Sequence, residues 1–199
     1  MGVRLTQLSF TDGGFDDAIS KLLSPSTDYF FLTRFVQLEL YGRRRGFIPP
    51  GSATILRLPD DVVNAQKDTT GCKYIAVCPT MHRPHNISWN RDVVYNVVWS
   101  LLAEVDGLNT KAGANTQNSI QIAEHEMMQY TEKPPIRSVL LPGLGTGTGE
   151  IPYARFATQF ALAAKNFDEA IRMPEKWSCL EWEDVDQIAE CLEGTWPLQ

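Results

Sequence analysis

Residues 136–152 read IRSVLLPGLGTGTGEIP and place glycines at 143, 145, 147 and 149. An apolar run leads directly into these glycines, and an amphipathic stretch beginning at Pro152 follows them. Glycine lets main-chain N–H groups come close to a ligand, and a helix N-terminus carries partial positive charge. A strand–loop–helix unit of this composition therefore suits a phosphate or pyrophosphate. The plain alternative is a strand-to-helix turn, in which four alternating glycines would cost conformational entropy without packing return. Two common phosphate loops are excluded. No Gly-Lys-Ser/Thr follows the glycines, as a Walker A loop requires. Thr148 and Glu150 stand where a G-x-G-x-x-G fingerprint starting at Gly143 or Gly145 needs its third glycine.

Other residues carry weaker chemical signals. Asp12-Gly13-Gly14 reads as a turn entering a helix over Phe15–Leu23. Asp12 is placed to cap that helix, Asp16 to favour its dipole, and Asp17 to face solvent. Cys78, His82 and His85 lie close in sequence, but no fourth ligand follows at a recognisable spacing, so no metal is assigned. Four cysteines at 72, 78, 179 and 191 match no paired zinc or redox motif and read as reduced thiols. Arg43-Arg44-Arg45 is the one basic cluster and reads as a solvated turn.

The elements that must position these residues follow from periodicity. Short strands are expected over 3–10, 52–58, 73–78 and 136–141. Helices are expected over Phe15–Leu23, 27–41, 89–108 and 152–167. The stripe Val93, Val94, Val97, Val98, Leu101, Leu102 and Val105 is the clearest helical signal. Ser178-x-x-Glu181 reads as a capping box before a C-terminal helix over about 179–193. Residues 109–135 are polar and read as a surface excursion, with a short helix at 122–130. Strands alternating with helices point to a single α/β domain over 1–199, a three-layer α/β/α sandwich with a mostly parallel central sheet.

With 199 residues and 43% hydrophobic content the chain can bury a sizeable core. A net charge of −6 lacks the broad cationic footprint that duplex nucleic acid demands, but leaves room for a small anion held by local dipoles. The longest apolar region, Val93–Val105, is broken by Tyr95, Asn96, Ser100 and Glu104, so no membrane span is expected. The N-terminus does not read as a signal peptide, and a cytoplasmic or nuclear location is expected.

Taken together, the segments Asp12–Ile19, Arg45–Ala53, Lys73–Pro79 and Leu141–Pro152 resemble, in this order, motifs of macro domains. Cys78-Pro79-Thr80-Met81, the VYxxxWSLL helix and the GLGTGTG loop are similar to a fungal group of macro-like proteins. The resemblance covers roughly residues 10–170. It implies that the ligand is ADP-ribose or an ADP-ribosylated macromolecule, with no further cofactor. Its diphosphate would be clamped between Asp12, Gly13 and Gly14 on one side and Gly145, Thr146, Gly147, Thr148 and Gly149 on the other. Asp16 would match the acidic residue that hydrolytic members set beside the distal ribose, where a carboxylate can activate water. At Gln7–Thr11 the chain departs from the family's asparagine-rich strand end, which implies that it begins inside the domain. Another nucleotide-binding α/β enzyme and a non-catalytic interaction domain stay open beside this reading.

Overall fold

The computed structural model describes residues 2–3, 15–65, 70–122 and 135–197. In chain order the elements are β1 (Gly2–Val3), α1 (Phe15–Leu23), α2 (Phe31–Arg44), β2 (Thr54–Arg57), α3 (Asp60–Ala65), β3 (Tyr74–Val77), α4 (Val93–Ile122), α5 (Tyr153–Arg172), α6 (Pro174–Trp177) and α7 (Trp182–Glu193). The strands lie in the order β1-β3-β2. β2 runs antiparallel to β3, from Thr54 opposite Val77 to Arg57 opposite Tyr74, and the two-residue β1 joins β3 in parallel.

This arrangement corrects the expected three-layer sandwich with a mostly parallel central sheet. The longest ladder among the described residues is antiparallel and four residues long, and helices dominate. The apolar run 136–141, expected as a strand, pairs with no described strand, and Val139 and Leu140 are exposed. An apolar sequence supplies the side chains for a strand. The ladder itself needs a neighbouring edge that offers its N–H and C=O groups.

The pleat of β2 and β3 divides the core in two. Ile55 and Ala76, directly opposite each other, join Val93, Val94, Val97, Val98 and Leu101 of α4 and Ala163 of α5. Leu56 and Ile75, also opposite each other, face the other way, towards Ile19 and Leu23 of α1, Leu32, Val36 and Leu40 of α2, and Val62 of α3. The alternation of side chains along each strand makes both clusters from one short ladder.

Helix boundaries depart from the periodic reading where tertiary bonds intervene. α4 starts at Val93, because the preceding residues are held in a loop, and it continues to Ile122 through part of the expected polar excursion. Residues 123–134, with most of the helix expected at 122–130, lie outside the described residues. Asn109 then secures the returning chain: its amide donates to the Ile136 carbonyl at 3.0 Å and accepts the Ile136 N–H at 2.7 Å. The capping box of α7 sits three residues later than expected, with Glu181 as N-cap and the Asp184 carboxylate accepting the Glu181 N–H at 3.1 Å. Two of the three clustered arginines are bonded rather than merely solvated. Arg43 donates to the Ile55 carbonyl at 3.1 Å, and Arg44 reaches Glu104 at 3.3 Å. Among the described residues no helix is long and apolar enough to cross a membrane.

Candidate functional site

The glycine run forms a tight loop between the 136–141 segment and α5. The Glu150 N–H bonds the Gly147 carbonyl at 2.8 Å, and the Ile151 N–H bonds the Gly145 carbonyl at 3.1 Å. The Thr146 hydroxyl donates to the Gly143 carbonyl at 2.9 Å. Leu144 and Ile151 are buried in the α4–α5 cluster and pin both ends of the loop.

Gly145 and Gly149 are required by this packing, and Gly143 is crowded by a side chain. Gly145 adopts a φ of 72°, and a Cβ there would meet Ile151 Cδ1 at 2.6 Å. A Cβ on Gly149 would collide with the Gly145 carbonyl and lie 2.9 Å from Met81 Cε. One on Gly143 would lie 2.5 Å from Thr146 Oγ1. The expectation that a plain turn gains nothing from these glycines is thereby corrected. Gly147 stands apart, exposed at the outer side of the loop with Thr148. Among the described residues, the amides of Gly147 and Gly149 donate no backbone hydrogen bond.

The loop opens onto the start of α5, a helix of 20 residues. Its N-cap is Pro152, no side chain caps the first turn, and no acidic residue lies in that turn. The first helical bond runs from the Phe156 N–H to the Pro152 carbonyl at 3.0 Å, so the amides of Tyr153, Ala154 and Arg155 are the open donors of the helix. Arg155 is 9% exposed in that first turn, where the helix dipole disfavours a cation. Its Nη1 donates to the Ser88 carbonyl at 2.7 Å and its Nη2 to the Trp196 carbonyl at 2.8 Å, while its Nε has no partner. No carboxylate pairs with it among the described residues.

The segment 79–92 forms the wall opposite. The Ile87 N–H bonds the Gly149 carbonyl at 2.9 Å, and the Asn86 amide donates to the Glu150 carboxylate. Glu150 holds a left-handed φ of 54°, uncommon for a residue with a side chain. Behind this wall, fully buried Gln159 accepts the Tyr95 N–H at 3.3 Å and donates to the Arg91 carbonyl at 2.6 Å and to Thr195 Oγ1 at 2.8 Å. Trp196 Nε1 donates to Asp92 at 2.7 Å, and the Arg91 guanidinium lies 4.7 Å from the Trp196 ring centre. Loop, wall and C-terminal turn are thus one bonded unit.

The other side of the expected clamp falls on residues 12–16. Asp12, Gly13 and Gly14 lie outside the described residues. Asp16 is half-buried in α1, which packs on α2 and β1. Its neighbour Asp17, expected to be a surface residue, is the bonded one. It accepts from Lys21 at 2.8 Å and from the Tyr29 hydroxyl at 2.6 Å, and the Lys21 bond foremost holds its carboxyl below the usual range. Comparison with protein-family models, curated proteins and solved structures finds no match to this chain.

The Cys78, His82, His85 trio does not assemble. Burial pushes the Cys78 thiol up to about 12, so it stays protonated, and His82 stacks on Phe47 with ring centres 5.9 Å apart. Among the described residues no group of three acidic, histidine or cysteine side chains is placed to hold a metal. The sequence reading missed Arg155, Asn86 and Glu150. A signal for Arg155 was present: an arginine in the first turn of a helix opposes the dipole and so needs a tertiary reason.

Proposed function

We propose that the chain binds ADP-ribose or a related nucleoside diphosphate, with the diphosphate at the 143–152 loop and the N-terminus of α5. The carrying observation is the join between them. The Gly147 amide, which donates no backbone hydrogen bond, and the open amides of Tyr153 and Ala154 lie on one short stretch of chain, with no side-chain cap and no acidic side chain in the helix's first turn. Such donors favour an anion at a helix start, and the buried guanidinium of Arg155 adds positive potential behind them. The macro-type motifs in the sequence point to the same ligand class. The reading proposed here is one of binding.

Calorimetric titration with ADP-ribose tests the reading, and Gly147→Glu is the decisive variant. A side chain bearing negative charge at that exposed position would occupy the phosphate site and repel its ligand. ADP-ribose binding by the wild-type protein, lost in Gly147→Glu, is the expected result. Equal binding by both proteins would remove the loop from the site, and no heat with the wild type up to millimolar ligand would remove the function.

A further inference from the structure

Two large aromatic side chains stand in solvent beside the glycine loop: Trp89 is 70% exposed and Tyr153 is 77% exposed. Neither is there because its segment is loose. Trp89 occupies the tip of a turn closed by the Asn90 N–H on the Ile87 carbonyl at 2.8 Å, and Ile87 is itself bonded to Gly149 at 2.9 Å. On the preceding residue, the Ser88 carbonyl takes the Arg155 guanidinium at 2.7 Å. Tyr153 is the first residue of α5, two positions before that arginine. The same bonds that build the loop therefore hold the backbone of both residues next to it.

An exposed aromatic ring gains little from its own chain. A flat π-system arriving from solution recovers the apolar contact that water denies it, and the contact tolerates any base. Resting on the phosphate reading above, we propose that Trp89 and Tyr153 are the base-stacking platform of this site. The ligand it selects is then a nucleotide with an aromatic base, in preference to a bare phosphate or a sugar phosphate. Backbone amides hold the diphosphate, and the two rings supply the discrimination.

The test is titration of the wild-type protein, Trp89→Ala, Tyr153→Ala and Trp89→Phe with ADP-ribose and with inorganic pyrophosphate. Both alanine variants are expected to weaken ADP-ribose binding about tenfold, the scale of one lost stacking contact, and to leave pyrophosphate binding unchanged. Trp89→Phe, which keeps an aromatic face, is expected to retain most of the affinity. Unchanged ADP-ribose binding in both alanine variants would overturn the platform while leaving the phosphate site standing. An equal loss for pyrophosphate would show the rings acting through the loop and would also overturn it. Absence of binding of either probe to the wild type would end both readings together.

Discussion

Residues 136–141 and 143–151 are consecutive, and each does what the other was expected to do. The first is an apolar run that resembles a core strand; it leaves Val139 and Leu140 in solvent and has no described strand beside it. The second is polar and rich in glycine, and resembles an open loop. It closes on itself through four hydrogen bonds and buries Leu144 and Ile151. Order follows from where backbone groups find partners, and hydrophobicity alone does not supply them. The glycine loop satisfies itself locally because glycine admits the turn at Gly145 and the close approach of Gly149 to that residue's carbonyl.

The sharpest way to break this contrast is Gly149→Ala. The added methyl would strike backbone, which cannot swing aside as a side-chain tip can. A loss of about 2–3 kcal/mol is expected, in the upper range for overpacking. Urea denaturation measures it, and a change below 0.5 kcal/mol would show that the loop is looser than its bonds imply. A smaller loss is expected for Arg155→Met, which keeps the apolar stem and removes the guanidinium. Bonds from a charged donor contribute about 1.5–3 kcal/mol each when well shielded. Ser88 and Trp196 are half-buried, so water replaces part of this, and relief of the unfavourable dipole returns about 0.3–1 kcal/mol. The net cost is about 1–2 kcal/mol. A variant as stable as the wild type would show that the wall and the C-terminal turn hold without the arginine.

Local signals in the sequence reported local structure well. The valine stripe of α4, the helix at Phe15–Leu23 and the strands around 54–57 and 74–77 all carry their own periodicity, and all form. Sheet direction is a different kind of property. Nothing in a four-residue apolar run states whether its neighbour runs parallel or antiparallel, so alternating strands and helices suggested a parallel sheet where β2 and β3 pair antiparallel. The loop at 143–152 was legible as a feature, because glycines at alternate positions are rare without a backbone reason. Its wall was not, because Asn86, Ser88 and Arg155 meet through contacts more than 60 residues apart in sequence. Asp16 illustrates the converse. Its position in a helix's first turn could be read from the chain, but a role in a shared site depends on residues distant in sequence, which local periodicity does not report.

The mildest test concerns the first member of the opening pair. Leu140→Ser changes a large apolar side chain near the end of the 136–141 run, a substitution that would cost several kcal/mol in a packed strand. Leu140 is 70% exposed, however, and removing an exposed side chain forfeits little transfer free energy. A change within about 0.5 kcal/mol is expected, as for substitutions that break no buried contact. The comparison with Gly149→Ala is then a direct measure of the contrast. A glycine in the polar loop, given one methyl, should cost more stability than a leucine stripped of its side chain in the apolar run. If the order is reversed, residues 136–141 are packed in solution, and the apolar run takes part in the sheet that its sequence describes.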